Sequence, residues 1–378
     1  MKASAFLYPW DVVGDPDAAA RIADLGVRQV TLAAAYHSTR ALTPRHPRHR
    51  IVTAEHAAVL YPVDERRWSG RALRPYAAGA WAPGDAYGRA AEVLAAVGLD
   101  VHSWVVLAHN SRLGAEHPET SVVNAYGDRY PWAPCIARPE VRAYLVALAA
   151  EAAVRPGARG TELESCGWYG LAHLHAHDKI AGVELDEVSQ YLMSLCFCGS
   201  CRSGYAEVGL DAVELRAAVR GALDAVWRGA GATGQELLEA TVGYRAAVAR
   251  RLQEEVVAAV RVAAAPGFQV LLHADPRVYR CGANVGVDPA GVFGVADGVV
   301  VPCVGGAVDL LAPFAPYASG AVLAANFTVV AGMGGRPGAL SDDAARAAAS
   351  GATELRLYHA GLASEGDLGA VRRSGALD

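Results

Sequence analysis

The chain has 378 residues, 53% of them hydrophobic, with 34 basic and 39 acidic side chains and a formal net charge of -5. That length and apolar content suffice for a large buried core, and α/β barrels of this size occur as one unit. The charge balance offers no basic field for nucleic acid, and no uncharged apolar stretch reaches the ~18 residues of a membrane helix.

In chain order, the N-terminus Met1-Lys2-Ala3-Ser4-Ala5-Phe6 lacks a charged segment followed by an apolar run of signal-peptide length, so a cytoplasmic location is expected. Short apolar runs then alternate with amphipathic Ala/Arg/Glu segments. The expected strands are Ala3–Tyr8, Gln29–Ala33, Val101–Ala108, Thr161–Ser165, Phe268–His273, Gly298–Pro302, Ala321–Asn326 and Glu354–His359. Helices are expected over Asp15–Leu25, Tyr87–Val97, Pro139–Val154, Thr241–Ala264 and Asp342–Ser350. This alternation is the pattern of an α/β protein with a parallel sheet, and eight such units close a (β/α)8 TIM barrel. We therefore expect one barrel domain over 1–378 with two insertions. Thr43–Ala86 follows strand two, and the Cys-containing helical insertion 173–235 follows strand four. In a barrel the loops after the strands carry the chemistry, so both insertions should roof the active face.

The sharpest local motif is Cys196-Phe197-Cys198-Gly199-Ser200-Cys201. Three thiols so close can converge on one tetrahedral ion, and Gly199 permits the tight knuckle. Structural zinc takes four ligands; Cys135 is the first candidate for the fourth and Cys166 the second. The alternative is that these cysteines are small buried apolar residues. Seven cysteines, an odd number, fit reduced thiols or a metal site better than a disulfide framework.

The second motif is Thr161-Glu162-Leu163-Glu164-Ser165-Cys166-Gly167-Trp168-Tyr169. Strand alternation turns Glu162 and Glu164 to one face, into the barrel. Glu164 is nearer the end that substrate reaches; a carboxyl there, shielded by Trp168 and Tyr169, suits a general acid. The alternative is a buried structural carboxylate paired with an arginine. Other strand ends are polar too. Tyr36 and His37 end strand two, His109 and Asn110 strand three, His273 and Asp275 strand five, Asn326 strand seven, and Tyr358 and His359 strand eight. Such a ring of polar groups suits a polyhydroxylated or charged small molecule. The tract His173-Leu174-His175-Ala176-His177-Asp178 reads as a solvated loop, a metal tract or part of the ligand site.

Cys135 before a Pro139-to-Tyr144 helix start, Glu164 closing strand four, and Cys196, Cys198 and Cys201 soon after stand in an order that resembles the glycoside hydrolase family 42 β-galactosidases. The resemblance implies a barrel in which Glu164 is the acid/base and Cys135, Cys196, Cys198 and Cys201 hold structural zinc. The chain departs from that family in two places: Leu163 stands where the family has Asn before its acid/base, and Ala324-Ala325-Asn326-Phe327-Thr328 lacks the acid that ends the family's strand seven. Asp275, Glu162 or an acid from a loop is then the candidate second carboxyl. The expected function is a hydrolase acting on a sugar or glycoside, with Tyr36, His37, His109, Asn110, Trp168, His273, Asn326, Tyr358 and His359 binding substrate. A homo-oligomer is compatible with this reading. A non-catalytic carbohydrate-binding barrel and a metal-dependent sugar isomerase or lyase are the alternatives.

Overall fold

A computed structural model describes residues 1–171 and 178–377. All eight expected strands form: β1 (Lys2–Leu7), β2 (Gln29–Tyr36), β3 (Asp100–Val106), β4 (Ala158–Glu164), β5 (Gln269–His273), β6 (Gly298–Pro302), β7 (Val322–Thr328) and β8 (Glu354–Tyr358). Each pairs in parallel with its sequence neighbour, and β1 pairs with both β2 and β8, which closes the barrel. The strands read as continuous apolar runs because both faces are buried. Outward residues such as Val30, Leu32, Val105, Leu163, Leu272, Val301 and Leu355 belong to the layer under the helices. Inward residues form separate clusters around Phe6, Ala33 and Trp104, and around Leu271, Val300 and Ala324.

The outer layer contains α1 (Ala18–Ala23), α2 (Ala86–Ala96), α3 (Pro139–Ala153), α4 (Glu187–Met193), α5 (Gly199–Glu207), α6 (Ala212–Trp227), α7 (Gln235–Ala263), α8 (Leu340–Ala349) and α9 (Glu365–Arg373). Their starts follow local chemistry. Asp85 accepts from Gly88 N at 2.8 Å to cap α2, and α3 starts on Pro139, whose missing N–H costs a helix nothing at that position. α7 begins at Gln235, earlier than the expected Thr241, after Gly234 in the left-handed region (φ 93°). The connections after β5 and β6 hold short 3-10 turns in place of α-helices. Gly282, Gly286, Gly291, Gly294, Gly305, Gly306, Pro313 and Pro316 make those stretches poor helix formers.

The insertion after β2 opens on a hairpin of Thr39–Leu42 with Ile51–Ala54, and a further hairpin, Ser121–Val123 with Arg129–Pro134, precedes α3. The insertion after β4 carries α4, α5 and α6. The tract His173, His175 and His177 lies outside the described residues. Among the described residues no helix is long and apolar enough to cross a membrane.

Candidate functional site

Glu164 ends β4 and is buried, with 6% exposure. Trp104, inward on β3 and fully buried, donates its Nε1–H to Glu164 Oε2 at 2.7 Å. The indole is boxed edge-on by Phe6 (4.8 Å between centroids), Tyr36 (4.6 Å) and Tyr358 (5.6 Å). Around this pair the ends of three further strands meet, β1, β2 and β8. The Tyr8 hydroxyl donates to that of Tyr36 at 2.9 Å and lies 3.2 Å from His359 Nδ1. His37 packs edge-on against His109 (5.1 Å), and His109 stacks on Tyr169 (5.1 Å). Tyr36, His37, His109, Glu164, Tyr358 and His359 therefore belong to one connected cluster at the C-terminal mouth. Burial, reinforced by the Glu164 charge, pushes the hydroxyls of Tyr36, Tyr169 and Tyr358 up, so they remain donors. Burial pushes His37 down, and burial with the nearby His37 pushes His359 down to about 3. At neutral pH His37 and His359 are thus neutral imidazoles and the three tyrosines keep intact hydroxyls, chemistry suited to an uncharged polyol.

One step deeper the barrel is ionic. Arg356, fully buried on β8, donates from Nε to Glu162 Oε1 at 2.7 Å and from Nη1 to Glu354 Oε2 at 2.8 Å. Thr31 Oγ1 also donates to Glu162 Oε1, at 3.1 Å. Burial opposes the Glu162 charge, but Arg356, His273 and His102 outweigh it and hold the carboxyl down at about 2. His273 is turned inward, its Nε2 3.4 Å from Glu162 Oε2, and so stands beneath the mouth cluster. Asn326, also inward and 7% exposed, leaves its Oδ1 without a partner. Asn110 caps the helix Ser111–Glu116, its Oδ1 accepting from Leu113 N at 3.0 Å.

Beside the mouth cluster, over β5 and β6, lies a cleft of about 740 Å³ lined by Glu187, Gln190, Asp275, Arg277, Arg280 and Asn284 among others. Asp275 is clamped by Arg277, which donates from Nε to Oδ1 at 2.8 Å and from Nη2 to Oδ2 at 2.6 Å. Asn284 stitches the cleft to β4. Its backbone O accepts from Asp275 N at 2.6 Å, and its Oδ1 accepts from Ser165 N at 3.4 Å. Ser165, Asn284 and His359 are the non-glycine residues with positive φ (64°, 74° and 61°) among the described residues. Two of them directly follow the strand-ending Glu164 and Tyr358. Left-handed backbone at non-glycine residues persists only where the surroundings hold it, and it gathers at functional sites.

The sequence placed Trp168 beside Glu164. It instead lies under the insertion, donating Nε1–H to Arg280 O at 3.1 Å, with the Arg245 guanidinium 4.5 Å from its ring. The aromatic that touches Glu164 is Trp104, which sequence reasoning missed. Strand alternation on Val101-His102-Ser103-Trp104 turns His102 and Trp104 to one face and was the available signal.

The four cysteines converge. The sulfurs of Cys135, Cys196, Cys198 and Cys201, all buried, lie within 4.8 Å of one another, with Cys135 3.7 Å from Cys198 and 3.5 Å from Cys201. A tetrahedral tetrathiolate with bonds of ~2.3 Å needs sulfurs about 3.8 Å apart, so the cluster has the spacing to hold a metal ion such as zinc. Val123 N and Cys198 N donate to Cys196 Sγ at 3.4 and 3.5 Å, and Cys198 stands at the N-terminus of α5. These backbone donors and the helix dipole favour thiolate charge. Cys166 is not in the cluster. Cys135 precedes α3 while the other three belong to the β4 insertion, so an ion here would tie that insertion to the barrel.

The sequence matches no family model and no curated protein. Solved structures do match. α-L-Fucosidase isoenzyme 2 from Paenibacillus thiaminolyticus superposes with a TM-score of 0.58 at 14% identity, covering 100% of this chain and 48% of that one. The catalytic domain of β-amylase from Paenibacillus polymyxa gives 0.57 at 11%, covering 99% and 97%. A family 42 β-galactosidase from G. stearothermophilus gives 0.55 at 12%, covering 100% and 56%. The chain thus spans about half the length of the fucosidase and of the β-galactosidase. At such identities the likeness establishes the fold: this chain is a (β/α)8 barrel of the kind on which those glycoside hydrolases are built.

Proposed function

We propose that the protein is a glycoside hydrolase acting on a sugar or glycoside, with Glu164 as general acid/base. The observation that carries this reading is Glu164 itself. It is a mouth-facing carboxyl fixed through Oε2 by Trp104 and ringed by tyrosines and by the neutral His37 and His359. Oε1 is then the oxygen left to exchange a proton with a glycosidic oxygen. Tyr36, His37, His109, Tyr358 and His359 bind hydroxyls around it. We assign Asp275 as the second carboxyl, because it borders the cleft and Arg277 fixes its orientation, whereas Glu162 lies deeper and is engaged by Arg356. Zinc on Cys135, Cys196, Cys198 and Cys201 is structural in this reading: four thiolates leave no open position for substrate. The ion contributes rigidity to the insertion, and no step of the reaction uses it.

A specific observation favours a second reading, a non-catalytic carbohydrate-binding barrel: β7 presents Asn326 where a nucleophilic acid would stand, and Asp275 and Glu162 are both paired with arginine. Glu164→Gln separates the two. The variant keeps size and hydrogen bonding but cannot deliver a proton. Turnover of a substrate with a poor leaving group should fall ~10²–10⁴-fold, and that of an activated aryl glycoside much less. Full activity in the variant removes Glu164 from the mechanism. Binding without turnover by the wild type across neutral and acidic glycosides supports the second reading.

A further inference from the structure

Behind Glu164 and Asp275 a seam of buried contacts joins the two loops that carry them. Ser165-Cys166-Gly167 follows β4, and Asn284-Val285-Gly286 lies in the loop that opens at Asp275. A Cβ at Gly167 would collide with the Val285 carbonyl oxygen, so this close approach requires glycine. Gln253, on α7 and 4% exposed, donates from Nε2 to Cys166 O at 3.0 Å and to Gly286 O at 2.9 Å, one bond to each loop. Asn284 makes the second bridge. Its Oδ1 accepts from the backbone N–H of Ser165, the residue after Glu164, and its backbone O accepts from the N–H of Asp275. Both ends of the side-chain bond are in left-handed backbone, with φ 74° at Asn284 and 64° at Ser165. Asparagine tolerates that region and serine resists it. Ser165 is held there by Asn284 on its N–H and by Tyr169, whose hydroxyl lies 2.6 Å from Ser165 Oγ.

We propose that Asn284 is a positioning residue for the glycoside cleavage assigned above, setting, with Gln253 as the second bridge, the separation of the Glu164 and Asp275 carboxyls. The proposal rests on that assignment. Asn284 acts through the backbone N–H groups of Ser165 and Asp275. Retaining and inverting cleavage need carboxyls roughly 5 and 6.5–9.5 Å apart, so a shift of a few ångströms across the seam changes whether water fits between them. A misplacement of about 1 Å can cost ~10²-fold in rate.

The test uses the full chain as purified. Asn284→Gly removes the side-chain acceptor but takes positive φ without strain, so its melting temperature should stay within about 2 °C of wild type. Its kcat on a glycoside should fall ~10–100-fold while KM stays within about 2-fold. Asn284→Asp keeps the acceptor and the tolerance for left-handed backbone, and should hold kcat within ~3-fold of wild type. The ¹H–¹⁵N indole resonance of Trp104 supplies a readout independent of turnover, because that N–H donates to Glu164 Oε2. The resonance is identified by its loss in Trp104→Phe. It should move in Asn284→Gly and in Gln253→Met, which cuts the other bridge, while that of the exposed Trp227 on α6 stays. Wild-type kcat in a folded Asn284→Gly, equal losses in the Gly and Asp variants, or a Trp104 resonance unmoved by both seam variants overturns the proposal. If the wild type turns over no glycoside, the glycoside reading fails and the Trp104 resonance decides the positioning. If Asn284→Gly does not fold, Asn284→Asp and Gln253→Met decide it.

Discussion

Replacing Arg356 by Met asks whether Glu162 belongs to the frame of the barrel or to its chemistry. The methionine fills much of the space but leaves Glu162 without its guanidinium at a position with no solvent exposure. Breaking a buried pair from one side costs ~3–5 kcal/mol, because the remaining charge is stranded. With ~2.1 cal/mol/K of unfolding entropy per residue, that lowers the melting temperature of a chain this long by about 4–6 °C. The pH dependence carries the sign. In the wild type Glu162 sits at about 2, below its ordinary 4.5, so its contribution is present above pH 4.5 and is lost as pH falls toward 2. Without Arg356, burial dominates and the neutral form is favoured. The deficit of the variant should therefore be larger at pH 7 than at pH 4. Adding Glu162→Gln removes the stranded charge and should recover part of the loss at pH 7, a coupling that scanning calorimetry of the four-member cycle reads directly. An Arg356→Met protein melting within a degree of wild type, or showing equal deficits at both pH values, would refute the reasoning.

Other outcomes follow from single contacts. Asp11 is pushed up to about 7 by burial, against the opposing pull of the Tyr8 N–H and Arg45. A carboxyl whose folded value is raised favours the fold at low pH and loses that contribution between the ordinary 3.8 and about 7. Relative to Asp11→Asn, wild-type stability should thus decline across that window by up to roughly 4 kcal/mol; parallel stability curves for the two proteins from pH 4 to 8 would contradict it. Purified protein should contain about one zinc per chain, and Cys198→Ser should release it and loosen the β4 insertion, seen as earlier proteolysis there. Retention of metal by the variant, or a fully folded metal-free wild type, would count against the cluster's role. Trp104→Phe removes the hydrogen bond to Glu164 while keeping an aromatic ring in the box, and should shift the pH profile of turnover along with a loss of about 1.5–3 kcal/mol in transition-state stabilisation. An unchanged profile would mean that the indole only fills space.

Much was legible in the sequence because the relevant physics is local. Apolar runs of strand length separated by amphipathic segments specify β/α units, and all eight strands form where those runs lie. Side-chain alternation turned Glu162 and Glu164 inward without any knowledge of neighbours, and three cysteines within one knuckle announced their convergence. The turns after β5 and β6 were written in glycine and proline. What the sequence could not decide is what each inward group meets across the barrel. Glu162 and Glu164 are two residues apart and chemically alike, yet one is captured by Arg356, 194 positions away, and the other by Trp104, 60 positions away. The joining of Cys135 to the knuckle is likewise a tertiary event, which brings the residue before α3 against the β4 insertion. Such partners are fixed by the stagger of eight strands summed around a closed circuit, and a one-residue change of register in any strand would turn its inward groups outward. Local pattern sets which side chains enter the barrel; the closed geometry alone sets which of them is left facing the mouth.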